Sequence, residues 1–307
     1  MIVCCGEALI DMLPRELPDG ATVYLPVSGG AVFNTAIALG RLGEEAAFFS
    51  GISEDLFGDQ LLASLSESGV GTDLCVMKPL GSTLAFVKLT NGQAQYSFFD
   101  ENSAGRSLDI SDLPEFSDNV SALHFGAISL IPEPCGSAYE ELLMREAPDK
   151  VISLDPNIRT GFIKDAEAHR GRISRMVAKS DIVKVSDEDL DWIAGSKNAG
   201  SSLIEEWLEQ GVSVVIFTKG SEGVDLFTSS GMISVPAVKT EVVDTVGAGD
   251  TFNAGFLSGL NRQGLLTKSA LKTASQDDLR TVAELAVKVA AITVSRAGAN
   301  PPWAGEL

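Results

Sequence analysis

Short apolar runs alternate along the chain with segments whose apolar residues recur at helical spacing. The runs predict buried strands at residues 2–10, 46–50, 122–125, 151–154, 182–185 and 212–217. Helical patterns predict helices at residues 31–42, 57–68, 136–145, 166–178 and 279–294. Because strands and helices alternate, the pattern predicts an α/β fold of three layers, in which helices cover both faces of a mostly parallel sheet.

Two regions interrupt this alternation. Residues 22–27 and the runs 84–89 and 94–99 have the composition of short antiparallel strands. Thr90-Asn-Gly-Gln93 joins the last two runs, and an Asn-Gly pair is typical of a hairpin turn. We expect these strands to form a small β lid, at about residues 12–28 and 83–104. No internal repeat or linker divides the chain, so the lid is expected to be inserted into a single domain spanning residues 1–307.

Composition and charge exclude several classes of protein. The chain has 307 residues, 45% of them hydrophobic, which is ample for a buried core. With 42 acidic against 23 basic residues, its net charge of −19 disfavours nucleic acid and anionic membranes as partners. No apolar run has membrane-spanning length, and the first residues do not resemble a signal peptide. The cysteines have no C-x-x-C spacing, which indicates reduced core thiols in a cytoplasmic protein: Cys4, Cys5, Cys75 and Cys135.

The segment from Asp244 to Gly255, DTVGAGDTFNAG, combines glycines, a carboxylate and the start of an apolar helix. Gly247 and Gly249 allow a tight turn with exposed amides, and residues 251–260 are predicted to be helical, so the helix N-terminus can bind an anion. Asp250 would lie where a phosphate arrives. Its predicted task is to accept a proton from an attacking hydroxyl, although the helix dipole should lower its basicity. On the local pattern alone, an ordinary glycine-rich turn stays an alternative.

A second glycine-rich segment precedes the helix at residues 31–42. Gly29 and Gly30 would let a ligand touch the backbone, and Asn34 offers a donor and an acceptor, which suits a sugar hydroxyl. Asp11 would add a charged acceptor for neighbouring hydroxyls. The alternative is that Ser28 caps the helix and Asn34 faces solvent.

Polar residues follow several apolar runs. Because ligands bind beyond the carboxyl ends of parallel strands, we expect these residues to line one crevice. Taken singly, Arg159 or Lys219 is more simply explained as an ordinary surface residue, and it is their joint position that favours the crevice. The residues concerned are Asp11, residues 155–159, 186–189 and 218–220.

Together the two glycine motifs resemble the signatures of the PfkB carbohydrate kinases, the ribokinase-like family, and the resemblance spans nearly the whole chain. It implies a ribokinase-like fold and ATP as phosphate donor. Asp250 would be the catalytic base, Gly247, Ala248 and Gly249 the anion hole, and Arg159 the contact to the transferred phosphate. The sugar would be held by Asp11, Gly29, Gly30, Asn34 and Asn102. The nucleotide would contact Lys184, Thr218, Lys219, Gly220 and Gly249.

One departure from the family pattern concerns the metal. Many members carry Asn-x-x-Glu near the metal, where this chain has Ser186-x-x-Asp189. Asp189 or Glu188 could bind Mg²⁺ through water, and a solvated helix start is an equal alternative for these acids. A K⁺ requirement stays open.

The residues expected near the acceptor favour a neutral hexose. Asp100 and Glu101 would repel an acidic sugar, although Arg106 could partly restore a cation. This segment and residues 29–43 are most similar to bacterial fructokinases, which implies conversion of D-fructose to fructose 6-phosphate. The alternatives are ribokinase, 2-keto-3-deoxygluconate kinase or nucleoside kinase activity, or a non-catalytic sugar- or nucleoside-binding protein. Exposed lid strands would allow a homodimer to form through the lid.

Neither histidine suggests a rival chemistry. His124 lies in an apolar strand and His169 in a charged helical region, where core or surface roles are expected. Neither a G-x-S-x-G motif nor a Walker A loop is present.

Overall fold

The computed structural model describes residues 1–90, 93–196 and 200–307. Its strands, in chain order, are β1 (Ile2–Cys5), β2 (Leu9–Glu16), β3 (Thr22–Gly29), β4 (Ala46–Phe49), β5 (Gly51–Ser53), β6 (Val70–Gly71), β7 (Val76–Lys78), β8 (Leu84–Thr90), β9 (Gln93–Phe99), β10 (Ala122–Gly126), β11 (Val151–Asp155), β12 (Ile182–Ser186), β13 (Val214–Thr218), β14 (Val224–Thr228) and β15 (Gly231–Val235). Its α-helices are α1 (Ala31–Arg41), α2 (Leu56–Glu67), α3 (Cys135–Glu146), α4 (Ala166–Val177), α5 (Asp187–Ala194), α6 (Gly200–Gln210), α7 (Ala248–Arg262), α8 (Lys268–Lys272) and α9 (Gln276–Val294).

Nine strands of the described residues form the main sheet, in the order β15-β14-β13-β12-β11-β10-β1-β4-β6. Pairing is parallel from β13 to β6, and β14 and β15 add an antiparallel edge. All the parallel strands therefore end at one edge of the sheet, where polar residues from separate parts of the chain meet.

Two apolar cores lie on opposite faces of this sheet. One packs α1, α2, α7, α8 and α9 against it, and the other packs α3, α4, α5 and α6. Cys4 belongs to the first core and the adjacent Cys5 to the second, as the side-chain alternation of a strand predicts. The predicted three-layer α/β fold is confirmed.

The first apolar run differs from its prediction. Residues 2–10 were expected to form one strand, but β1 ends at Cys5 and β2 begins at Leu9 in another sheet. The turn between them is tight, since a Cβ on Gly6 would come within 2.6 Å of Val32 Cγ2. The chain thus leaves the main sheet before Asp11.

A second sheet of four strands has the order β3-β2-β8-β9. It contains β8 and β9, which pair as an antiparallel hairpin, while the predicted Asn91-Gly92 turn lies outside the described residues. Its exposed side chains include Tyr24 and Phe99 on one face and Leu25 on the other. We call these four strands the lid sheet.

Of the helices in the described part of the chain, none combines the length and the apolar content needed to cross a bilayer. Helix α7 begins at Ala248, three residues before the predicted start, so Asp250 lies inside its first turn. All four cysteines are free, and three of them are buried.

Candidate active site

A cavity of about 1810 Å³ opens between the carboxyl edge of the main sheet and the lid sheet. It is lined by most of the residues predicted for the site: Asp11, Gly30, Asn34, Asn102, Arg159, Lys184, Thr218, Gly247, Ala248, Gly249, Asp250, Glu188 and Asp189. Three predicted residues are not part of the described lining: Gly29, Lys219 and Gly220.

Asp250 and Asn34 meet in this cavity although 216 residues separate them. Asn34 Nδ2 donates to Asp250 Oδ2 at 2.9 Å, and the Thr35 hydroxyl donates to the backbone oxygen of Asp250 at 3.1 Å. The alternative in which Ser28 caps α1 is wrong, because the N-cap residue of α1 is Gly30 and the Ser28 hydroxyl contacts Ser64. The two glycine motifs therefore form one site.

The first turn of α7 presents unpaired amides to the cavity. Gly247 is the N-cap at φ 77°, where a Cβ would lie 2.6 Å from Ala299 Cβ. Ala248 N donates to Thr245 O at 3.3 Å, whereas no backbone acceptor is found for the Gly249 and Asp250 amides within the described residues. Amides at a helix N-terminus attract anions, so this turn can bind a phosphate.

The loop before α7 is held by a carboxylate of its own motif. Asp244 accepts from the amide of Val246 at 3.0 Å and from the amide of Gly298 at 2.9 Å. The position of the glycine turn thus depends on the C-terminal segment that follows α9.

Asp250 is buried, and this burial raises its pKa to about 6. The hydrogen bond from Asn34 opposes the shift, while the charge of Asp155 adds to it. Desolvation of the carboxylate therefore outweighs the lowering of basicity expected from the helix dipole. Asp250 is a stronger base than an exposed aspartate.

Lys184, predicted as a nucleotide contact, lies beneath the α7 turn in a buried cluster with Asp155 and Asn253, whose mutual contacts were not predicted. Its ammonium contacts Asp155 Oδ2 at 2.8 Å, and Asn253 Nδ2 donates to the same oxygen at 2.8 Å. Burial alone would lower the pKa of Lys184, but the Asp155 carboxylate outweighs it and the pKa is raised, so the lysine stays charged. Asn253 follows Asp250 by one helical turn, a spacing that could have indicated it.

On the lid side of the cavity, Asp11 lies in β2 of the lid sheet and not at the end of the first strand. Burial raises its pKa to about 6. A Cβ on Gly29 would lie 2.4 Å from Asp11 Oδ2, so Gly29 makes room for this carboxylate instead of touching a ligand. Gly30 does line the cavity, at φ 113°.

The segment after the lid hairpin is ordered around Asp100. This carboxylate accepts from the hydroxyls of Thr83 and Ser103 at 2.8 and 2.9 Å. Arg106 Nη1 lies 3.9 Å from the other oxygen of Asp100. Asn102 is exposed at φ 59° on the cavity wall, where its amide can meet a ligand.

Only some of the residues predicted to contact the nucleotide line the cavity. Thr218 lines it at the end of β13. Lys219 instead pairs with Asp225 at 2.7 Å, because β13 and β14 are antiparallel neighbours there. Gly220 adopts φ 55° in the following turn.

The two acids predicted for the metal have different environments. Asp189 is buried, with Oδ2 accepting from Ser186 N and Oγ and Oδ1 accepting from Ile158 N at 2.7 Å. Both oxygens are engaged, so Asp189 is a helix-capping residue and a poor metal ligand. Glu188 is exposed on the cavity wall. The described residues contain no cluster of three metal-binding side chains.

Arg159 lies at the rim of the cavity. Its Nη1 donates to the backbone oxygen of Ile158 at 3.2 Å, and the side chain is exposed. The guanidinium folds over its own loop, and its charge opposes the rise in the pKa of Asp250.

The histidines take structural positions. His124 is buried with Nδ1 3.0 Å from Ser153 Oγ, and burial lowers its pKa to about 4. His169 is also buried, beside Trp192, and not on the surface.

Comparison with known proteins agrees with this geometry. Residues 1–304 match the family described as "pfkB family carbohydrate kinase". The chain belongs to this family of carbohydrate kinases.

Among curated proteins, the chain is 55% identical to a fructokinase of Rhizobium leguminosarum bv. trifolii, over 91% of this chain and 86% of the relative. It is 33% identical to a probable chloroplastic fructokinase-6 of Arabidopsis thaliana, over 98% of this chain and 79% of the relative. Among solved structures, the fructokinase of Xylella fastidiosa with bound ATP has a TM-score of 0.88 at 29% identity, and the match covers 97% of this chain and 93% of that one.

Proposed function

We propose that this protein is an ATP-dependent fructokinase that transfers the γ-phosphate of ATP to D-fructose and forms fructose 6-phosphate. The similarity to the Rhizobium fructokinase supports this substrate over the alternatives within the family. The observation that carries the proposal is the 2.9 Å contact between Asn34 and Asp250 at an open helix N-terminus. A group that binds polyols thus meets a base and an anion site in one cavity.

In the proposed reaction, Asp250 orients the acceptor hydroxyl and takes its proton as the oxygen attacks the γ-phosphorus. The bond from that phosphorus to the bridging oxygen of ADP breaks. The Gly249 and Asp250 amides, together with the charged Lys184, offset the negative charge of the transferred group. Arg159 would join them by turning inward.

At the sugar end, Asp11, Gly30, Asn34 and Asn102 would contact the acceptor hydroxyls. Asp11 lies in the lid sheet and Asn34 in α1, which packs against the main sheet, so a sugar bound to both would tie the lid sheet to the main domain. Closure of the lid would keep water from taking the phosphoryl group.

Mg²⁺ would enter with the nucleotide, where it neutralises phosphate charge. The donors present suit an ion held mainly by phosphates and water, because Glu188 offers an exposed carboxylate and Asp189 has no oxygen to spare. Mg²⁺ commonly retains several waters in such sites.

ADP release tests the proposal directly. The protein should release ADP from MgATP with fructose and much less with ribose, adenosine or 2-keto-3-deoxygluconate at equal concentration. Repeating the assay in Na⁺ and K⁺ decides the monovalent requirement. Nucleotide and sugar binding without ADP release would instead indicate a non-catalytic binding protein.

Two further expectations accompany this function. The exposed lid residues Tyr24, Leu25 and Phe99 support a homodimer through the lid, which light scattering before and after substitution of these residues would test. The free, mostly buried cysteines support a cytoplasmic location, which fractionation of the source cells would test.

A further inference from the structure

Glu7 is a buried carboxylate beside the sugar end of the cavity. It follows β1 and Gly6 directly, and only 8% of its surface is exposed. It lines the cavity together with Asp11, Gly30 and Asn34. Glu7 belongs to neither glycine motif, although an acid placed directly after a buried strand is a signal for a site residue.

One oxygen of Glu7 caps α1 from a distant part of the chain. Glu7 Oε1 accepts from Ala31 N at 2.7 Å and from Val32 N at 3.4 Å. The N-cap residue itself is Gly30, which has no side chain to do this. Glu7 therefore satisfies amides of the turn that leads to Asn34.

The packing around this contact leaves little freedom. A Cβ on Gly30 would lie 2.8 Å from Glu7 O and 3.2 Å from Glu7 Cγ. A Cβ on Gly6 would lie 2.6 Å from Val32 Cγ2. Because the Glu7 segment and the first turn of α1 are in such close contact, a displacement of one displaces the other.

The other oxygen of Glu7 makes this carboxylate costly to bury. Glu7 Oε2 is buried without a hydrogen-bond partner, and burial raises the pKa of Glu7 to about 7. By contrast, Ser275 caps α9 with a hydroxyl and buries no charge. A cap needed only for stability has a less costly solution in this same chain, which points to a role in the site.

We propose that Glu7 is a positioning residue of the acceptor site: its carboxyl oxygen holds the first turn of α1 so that Gly30 and Asn34 face Asp250. This inference rests on the proposed function, because it concerns the binding of the acceptor sugar. The hydrogen bond from Glu7 to the Ala31 amide, and not the charge of Glu7, does the positioning.

Three variants of Glu7 separate the effect of its side-chain length from the effect of its charge. Glu7→Gln keeps an oxygen at the same distance and loses the charge. Glu7→Asp keeps the charge but is one methylene too short, and Glu7→Ala loses both. We expect E7A and E7D to raise the KM for fructose about tenfold with the KM for ATP nearly unchanged, as a displaced binding group should. E7Q should return the fructose KM to within about threefold of the wild type.

Ser275→Ala is the matched control, because it removes a cap from α9 outside the cavity lining. It should lower the melting temperature and leave both KM values unchanged. If E7D binds fructose normally and E7Q does not, the charge does the positioning and the proposal is wrong. Equal changes in both KM values would also overturn it, and so would an unchanged fructose KM in E7A. If E7A does not fold, the comparison of E7Q with E7D decides alone.

The wild-type assay keeps this test separate from the test of the function. If the wild type prefers another acceptor, the fructokinase proposal fails, and the same variants are compared with the acceptor that the wild type uses. The inference about Glu7 then stands or falls on its own measurement.

Discussion

Helices α5 and α7 both start at the carboxyl edge of the main sheet, and both carry an aspartate at their third position. In α5 the N-cap is Ser186, whose hydroxyl and amide both bond to Asp189. In α7 the N-cap is Gly247, which offers no side chain, and Asp250 bonds to Asn34 from another helix. The N-cap residue thus decides whether the acid completes its own helix or faces the cavity.

Asp189 and Asp250 also differ in how far hydrogen bonds compensate the cost of burying them. Asp189 receives backbone amides on both oxygens, so its burial is compensated. Asp250 is buried with a raised pKa, which is the state of a group held ready for proton transfer. A first turn with a serine cap stabilises the fold, whereas one with a glycine cap serves a site at the expense of local stability.

The largest effect is expected from Asp250→Asn. The amide retains the shape and the Asn34 contact but cannot accept the proton, so kcat should fall by about 10² or more with little change in either KM. ADP release measures this. The control is Asp278→Asn, which alters the aspartate at the same position of α9, where it belongs to a capping box. Near-native turnover of D250N would reject Asp250 as the base.

Gly247→Ala should have the next largest effect. The left-handed conformation disfavours alanine by about 1–2 kcal/mol, and the new Cβ would also displace Ala299 and the turn. We expect at least about a tenfold loss of kcat as the α7 amides move. Thermal unfolding and ADP release measure the two effects.

Gly264→Ala is the control for this change, because Gly264 has φ 68° with no atom near its missing Cβ. It should lose similar stability from the backbone and retain its activity. Equal activity losses in the two variants would show that the position of the turn does not matter.

Ser186→Ala should have a smaller effect. Loss of the α5 cap should lower the free energy of unfolding by about 1 kcal/mol. Because Asp189 also holds Ile158, next to Arg159, kcat should fall by about threefold. Chemical denaturation and kinetics test this, and an α5 cap without influence on kcat would show that the Arg159 loop is positioned independently.

The smallest effect near neutral pH is that of protonating Asp250. The base works only when ionised, and burial raises its pKa to about 6. The value of kcat/KM, which reports the free enzyme, should therefore be nearly level above pH 7, halve near pH 6 and fall further below it, since protonated Asp250 cannot accept a proton. A pH profile of ADP release, in buffers of constant ionic strength, checks this. A profile level down to pH 4.5 would contradict the raised pKa.

Sequence patterns predicted the main elements well. The helices at residues 31–42 and 166–178 were placed within one residue at each end, because their apolar periodicity follows from burial of one face. The break after Cys5 was not foreseen, since residues 2–10 are almost continuously apolar and β1 and β2 are buried in different sheets. Apolar character records burial, and not the sheet in which a strand is buried.

Predictions of the site succeeded where glycines and polar residues lie close in sequence. Asp250 and Asn34 were identified from their own motifs, and the structure places them in one cavity. Glu7 escaped notice, and Asp155 was expected to line the crevice but is buried against Lys184, because each acts through a contact across the fold. Lys219 was misplaced for the same reason, since its partner Asp225 comes from the antiparallel neighbour strand.

The sequence by itself determined the alternation of strands and helices, the family and the two glycine turns, because these depend on residues close together in the chain. Tertiary structure alone decided which carboxylates have both oxygens hydrogen-bonded and which are buried with a raised pKa. Asp189, Asp250 and Glu7 all lie near helix starts, and they differ only in the groups that folding brings to them. Hydrogen bonding and desolvation depend on those neighbours, which separations of 24 and 216 residues conceal from any local pattern.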